Sequence, residues 1–167
     1  VSGADEDSLV TLCVFCEKCF SLDQSGLGGG LIWLPEISQA ELNHLVRAIY
    51  VAMASKDELS VAALRALEAL KARHAEAKKR LGTDDPLLLS AALHESVDET
   101  AYKNRGSKLE GLRFLPYDRY LMRQRNGEAD MFPRILAYWM SPEGPFAKKP
   151  VAEWTKLFED ATEKAAS

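Results

Sequence analysis

The sequence predicts a mainly α-helical protein with one or two short strands. Apolar residues recur at helical spacing in several segments, and helix start and end signals flank those segments. Two short segments that each stop at a proline, the apolar run 31–34 and residues 109–115, are expected to be strands instead. The chain has 167 residues, of which 47% are apolar and 28% charged, so its composition is that of an ordinary globular domain.

The clearest predicted helix spans residues 38–55. Ser38 and Glu41 form the S-x-x-E pattern of a capping box, and the acidic residue suits the positive end of the helix dipole. The apolar residues that follow at helical spacing are Leu42, Leu45, Val46, Ile49 and Met53.

Further helices follow along the chain. The second is predicted at 60–81, because Gly82 stands where a helix-ending glycine belongs and basic residues fill the last turn. Pro86 opens a third helix, which we expect to end near residue 95. The remaining helices are predicted at 118–125, 131–140 and 150–165.

Loops are predicted where polar residues, glycine and proline concentrate. The polar and acidic start of the chain, 1–8, is expected to be the end of a loop. The glycine run within 23–30 is expected to hold no regular structure and to act as a hinge or a tight turn. Residues 96–108 are expected to form a loop, and 141–145 a turn.

The composition excludes several classes of protein. The net charge of −4 does not favour nucleic acid as a general partner. No apolar run approaches the length of a membrane span, and the first residues given do not form the charged-then-apolar pattern of a signal segment. Only three cysteines occur, all within one short segment, which argues against a disulfide framework and favours a reducing compartment.

The cysteine segment, 9–20, is the strongest chemical signal. Cys13 and Cys16 form a C-x-x-C pair, which can direct two sulfur atoms at one zinc ion, and Cys16 and Cys19 repeat the spacing. Buried thiols on one helix face are a simpler alternative, and an iron–sulfur site lacks a fourth cysteine. A fourth zinc ligand would come from outside this chain or from His44, His74 or His94.

The histidines and the basic segment 71–80 suggest no further site. His44 and His74 are expected to face solvent, and His94 is not expected to be catalytic. The basic residues of 71–80 alternate with glutamates at helical spacing, so an exposed face of ion pairs is expected there.

The segment DSLVTLCVFC, residues 7–16, resembles the end of an HNH-type zinc module. In such modules an upstream C-x-x-C completes the zinc site and a β-hairpin carries the catalytic histidine. Here Ser8 stands in place of an asparagine and Glu17 in place of a histidine. Because no histidine precedes the cysteines, nuclease activity does not carry over from this resemblance.

A second resemblance covers residues 8–53. CVFCEKCF, the glycine run GLGGG and LIWLPEISQAELNHL occur in the same order as in the IcmJ (DotN) family of the Dot/Icm type IVB secretion system. The resemblance implies a degenerate HNH/treble-clef-like zinc module whose second half is residues 1–36, followed by a helical domain at 37–167. The chain begins at Val1 without methionine, so we expect it to start partway through that module.

The resemblance also implies a site and a role. Cys13 and Cys16 would be two of four zinc ligands, the other pair would precede Val1, and Cys19 would be a packing residue or a spare ligand. The implied role is a non-enzymatic, zinc-stapled component of the secretion system that docks with the coupling ATPase. It would lie in the cytoplasm, peripheral to the inner membrane through the secretion complex.

Two other functions stay open. The chain could be the C-terminal part of an HNH endonuclease, or a helical protein-binding module without metal. Within 131–158, prolines alternate with aromatic residues, which suits a surface lobe that contacts a partner. Trp139 and Trp154 are the predicted contact residues, although both also suit a core.

Overall fold

Helices surround a two-stranded antiparallel sheet in the computed structural model, which describes residues 12–24, 28–54, 58–95, 98–117 and 131–165. The strands are β1 (Gly29–Trp33) and β2 (Leu112–Pro116). The α-helices are α1 (Val14–Phe20), α2 (Gln39–Met53), α3 (Glu58–Ala72), α4 (His74–Leu81), α5 (Pro86–Glu95), α6 (Glu99–Lys103), α7 (Arg105–Leu109), α8 (Phe132–Trp139) and α9 (Trp154–Ala165). The predicted mainly α fold with short strands is confirmed. None of these helices is both long and apolar enough to cross a membrane.

The two predicted strands pair with each other. Leu31 of β1 stands opposite Phe114 of β2, and the pairing runs from Gly29 with Pro116 to Trp33 with Leu112. Gly29 and Gly30 belong to β1, so the expectation of no regular structure in the glycine run is wrong at these two residues. A side chain at Gly29 would collide with the Phe114 ring, so glycine here permits the close approach of the strands.

Helix α2 begins as its capping box predicts. The Glu41 N–H donates to Ser38 Oγ at 3.2 Å, and the Ser38 N–H donates to Glu41 Oε2 at 2.7 Å. Both bonds satisfy backbone donors that the first turn of a helix leaves free. The buried face of α2 packs into the core through Leu42, Val46, Ile49, Tyr50 and Val51.

The helix predicted at 60–81 is two helices. α3 ends at Ala72 and α4 begins at His74, with a turn at Arg73 between them. The Arg73 carbonyl accepts a hydrogen bond from the Trp33 N–H of β1 at 3.4 Å, so the chain turns where it meets the sheet. Gly82 ends α4 with a φ of 79°, the left-handed conformation that favours glycine, as predicted.

Part of the apolar stripe predicted for the second helix lies in solvent. Val61 is 52% exposed and Leu64 48%, whereas Leu67 is 3% exposed and packs against α2 residues. Only one side of α3 faces α2.

The loop predicted at 96–108 is largely helical in its described part. α6 and α7 occupy this segment, and Lys103 pairs with Glu99 one turn earlier at 2.7 Å, a spacing that supports short helices. The predicted helices near 131–140 and 150–165 are confirmed as α8 and α9, the latter after a 3₁₀ turn at Val151–Glu153. The loop predicted at 1–8 and the helix predicted at 118–125 lie outside the described residues.

The main core contains residues from both sides of the domain boundary predicted at residue 36. Phe15 of α1 and Ile32 of β1 pack with Val46 of α2, Leu115 of β2 and Trp139 of α8. The division into a zinc module and a helical domain stays a prediction.

Gly30 should be one of the positions least tolerant of a side chain. A Cβ there would lie 2.5 Å from Cε1 of His74, so Gly30→Ala has to displace the ring. We expect Gly30→Ala to lower the free energy of unfolding by about 1–3 kcal/mol, measured by urea denaturation. Gly106→Ala is the matched control, because no atom lies within 4 Å of the added Cβ. Equal stability of the two variants would contradict the packing described here.

Candidate functional site

Cys13 and Cys16 are brought together by the start of α1. Cys13 is the N-cap residue, and its Sγ accepts a hydrogen bond from the Cys16 N–H at 3.4 Å. Cys16 lies in the first turn, so its side chain returns toward the cap. The two Sγ atoms are 3.4 Å apart, and the described residues show no disulfide between them.

This pair fits two positions of a zinc site. A tetrahedral ion with Zn–S bonds of about 2.3 Å places its sulfur ligands roughly 3.8 Å apart. The observed separation of 3.4 Å therefore needs only a small adjustment. The pair can serve as a two-thiolate chelate.

Cys19 is not part of the same arrangement. Its Sγ donates to the Phe15 carbonyl at 3.1 Å, within α1 itself. Across the described ranges, no group of three or more Cys, His, Asp or Glu side chains is placed to hold a metal ion. The described residues thus bring two of the three cysteines together, and the assignment of Cys13, Cys16 and Cys19 as zinc ligands stays a prediction.

The surroundings of Cys16 and Cys19, which are called the inner thiols below, favour the neutral form of their side chains. Burial raises the pKa of Cys19 to about 11, against the opposing effect of a hydrogen bond from Asn43. Burial also raises the pKa of Cys16, again opposed by Asn43. A bound cation would replace the thiol protons, since thiolate is the form that ligates metal.

Two amide side chains of α2 connect the thiols to the sheet. Asn43 Nδ2 lies 3.4 Å from Cys16 Sγ and 3.8 Å from Cys19 Sγ. Gln39, one turn earlier, donates from Nε2 to Asn43 Oδ1 at 2.9 Å and to the Phe114 carbonyl at 2.8 Å. The Phe114 N–H donates in return to Gln39 Oε1 at 2.8 Å.

Sequence reasoning missed Gln39 and Asn43 as site residues. The available signal was their spacing, because residues four apart share a helix face, and Val46 continues that face into the core. A polar pair on a core-facing stripe indicates buried hydrogen-bonding partners.

A cavity of about 440 Å³ lies beside this network. Its wall is largely apolar and includes Cys16, Cys19 and Asn43. Phe20, which also lines the cavity, is 79% exposed. The inner thiols are therefore next to open space rather than enclosed by packing on all sides.

The histidines lie apart from the cysteines. His74 is partly buried, so its predicted place on a solvated face is wrong: its Nδ1 donates to the Leu31 carbonyl at 2.7 Å and its ring packs edge-on against Tyr117. The contact with β1 is responsible, because α4 packs directly on that strand. His44 is exposed as expected, and His94 is exposed as well. Around His74, the predicted ion pairs are present between Lys71 and Glu68, and between Arg80 and Glu76.

The two tryptophans predicted as partner contacts are packed residues. Trp139 is 4% exposed and its ring centroid is 5.5 Å from that of Phe15, so its side chain packs in the core, the alternative that its sequence context left open. Trp154 is partly buried, its indole N–H donates to the Lys149 carbonyl, and its ring meets Phe146 edge-on. The exposed apolar residues of this region are instead Tyr138, Met140, Leu157 and Phe158.

Comparison with known proteins identifies a protein that is similar to this chain. No profile of a known protein family matches it. The type 4 apparatus protein DotN of Legionella pneumophila is 34% identical to it over an alignment of 109 residues, and the match covers 58% of this chain and 51% of that protein. This similarity supports membership of the chain in the DotN (IcmJ) family. It spans about half the length of this curated relative, and the HNH-like module stays a prediction.

The raised pKa of Cys19 gives a test of the site in the metal-free protein. With a pKa of about 11, only about 0.1% of Cys19 is thiolate at pH 8, about 100-fold less than an unperturbed thiol. Cys19 should therefore be alkylated by iodoacetamide about 100-fold more slowly than a free thiol at pH 8. Its rate should rise roughly tenfold per pH unit up to pH 11, measured by peptide mapping. A rate at pH 8 equal to that of free cysteine in the same tube would contradict the burial described.

Proposed function

We propose that this chain is a structural, non-enzymatic component of a type IVB secretion apparatus and docks with the coupling ATPase. The observation that carries the proposal is the alignment with the apparatus protein DotN. The proposed location is the cytoplasm, peripheral to the inner membrane through the secretion complex. Residues 12–24 and the helices that hold them would then supply a rigid body for docking rather than a catalytic centre.

The proposal includes a zinc ion held by Cys13 and Cys16. The distance between their sulfur atoms supports it, and the remaining two ligands would come from outside the described residues. Closed four-ligand zinc sites with cysteine ligands are structural, so an ion held in this way would act here as a structural link. It would tie α1 to the segment or partner that supplies the other ligands.

The proposed docking surface is the exposed apolar part of α8 and α9. Tyr138 is 56% exposed, Met140 48%, Leu157 45% and Phe158 37%. Large apolar and aromatic side chains in solvent are typical of contact surfaces, where a few of them supply most of the binding energy. Leu157 and Phe158 lie one turn beyond Trp154, which anchors the start of α9.

Metal content tests the zinc ion. Protein purified together with the segment or partner that supplies the other two ligands should contain zinc by atomic emission. Cys13→Ser and Cys16→Ser should each reduce that content severalfold, because each removes one of the two proposed thiolate ligands. Cys19→Ser is the matched control from the same helix and should keep the metal, since Cys19 bonds within α1. Zinc loss in the Cys19 variant alone would contradict the assignment, as would protein without zinc.

Binding to the coupling ATPase tests the role. Leu157→Asp and Phe158→Asp should weaken capture of the ATPase at least tenfold, because each places a charge within a proposed apolar contact. Leu88→Asp changes an equally apolar, 60% exposed residue on α5 and should bind as the unmodified protein does. Circular dichroism confirms that each variant is folded.

Two results would count against this proposal. A folded, zinc-loaded protein that fails to bind the coupling ATPase removes the docking role. DNA cleavage by the same protein with added Mg²⁺ would support the endonuclease alternative instead.

A further inference from the structure

Asn43 is a buried amide with an unusual set of partners. Its side chain belongs to a residue that is 1% exposed, within the core-facing side of α2. A buried amide costs free energy unless its donors and acceptor are bonded. Here the donors are directed at the sulfur atoms of Cys16 and Cys19, and the acceptor oxygen receives the Gln39 N–H.

The orientation of the Asn43 amide follows from Gln39. Gln39 bonds both backbone groups of Phe114, with Oε1 accepting from the N–H and Nε2 donating to the carbonyl. Because that pairing fixes which end of the Gln39 amide is the donor, Nε2 also faces Asn43 and requires an oxygen there. The Asn43 nitrogen is thereby left to face the thiols.

We propose that Asn43 is the positioning residue of the cysteine centre and supports Cys16 as a metal ligand through an N–H to sulfur hydrogen bond. This inference rests on the zinc ion proposed above. A donor aimed at a partly buried thiolate offsets part of its negative charge and restricts its rotamer, as partners behind metal ligands generally do. Gln39 and Phe114 extend this support to β2, so the sheet holds the ligand in place.

The shape of the network distinguishes Asn43 from a residue that only fills space. Leucine has the same branched side-chain shape as asparagine and would take the same place on α2 without offering a hydrogen-bond donor. It would leave both sulfur atoms without their donor and would free the Gln39 N–H to bond Phe114 alone. The effect of such a change should appear at the metal rather than in the fold.

The experiment compares Asn43→Leu and Asn43→Ser with the unmodified protein, each together with the segment or partner that supplies the other two ligands. Zinc affinity is measured by competition with a chelating indicator, and Co²⁺ serves as the spectroscopic probe of the thiolates. Both variants should bind zinc about 10–100-fold more weakly. Their sulfur-to-cobalt charge-transfer band should move to longer wavelength, because a thiolate without the donor gives up its electron more easily.

Ser38→Ala is the matched control. It removes the N-cap of the same helix, a loss of about 1 kcal/mol in stability, without touching the thiols. It should keep both the zinc affinity and the cobalt band, which separates an effect on the ligands from a general loss of stability.

Each outcome decides a different claim. Folded Asn43 variants with unchanged zinc affinity and an unmoved cobalt band would overturn the positioning role and leave the zinc proposal standing. An unmodified protein that takes up neither metal would overturn both. A weakened affinity with an unmoved band, matched by Ser38→Ala, would assign Asn43 to stability alone and would also overturn the role.

Discussion

The pairing of Leu31 with Phe114 is the point on which the fold depends. At this pair the backbone N–H and C=O groups point away from the partner strand, and a two-stranded sheet offers no third strand to bond them. Side chains and turns close both edges instead. Gln39 bonds the N–H and the carbonyl of Phe114, while the Asp84 carbonyl and His74 satisfy Leu31. Buried strand edges need such partners, because an unbonded backbone group costs about as much as a lost hydrogen bond.

These edge bonds set the positions of the surrounding helices. The capping box begins α2 immediately after Ser38, so Gln39 is the first helical residue and reaches the edge of β2. On the other edge, His74 begins α4, and the break between α3 and α4 lies at the residue whose carbonyl bonds β1. Local interactions within each helix and hydrogen bonds to the sheet therefore both determine where α2 and α4 begin. A shift of either strand by one residue would break both sets of bonds.

The sequence predicts features that depend on neighbouring residues and misses contacts between residues that are far apart in the chain. Ser38 and Glu41 determine the start of α2, and Gly82 determines the end of α4. Each of them acts on residues within one helical turn. His74 was predicted on an exposed face because its sequence neighbours are charged, yet its partner Leu31 is 43 residues away. Gln39 was overlooked for the same reason, since Phe114 is 75 residues from it. The Cys13–Cys16 pair was predictable because a C-x-x-C turn needs only four residues, whereas the amides behind it come from another element.

The protein core positions the cysteine pair without a contribution from a metal ion. Phe15 lies between the two cysteines, is 1% exposed and packs on Tyr50 and Trp139, so the core holds α1 from the middle of the pair. Cys13 Sγ also caps the helix that carries Cys16. In zinc fingers the ion orders an otherwise unfolded chain, and its binding free energy is the folding free energy. Here the two sulfur atoms are already adjacent, so little ordering free energy opposes binding at this half of the site. A bound ion would therefore mainly stabilise the segment or partner that supplies the other ligands. The cysteine pair is thus suited to attaching a second segment to a domain that is already folded.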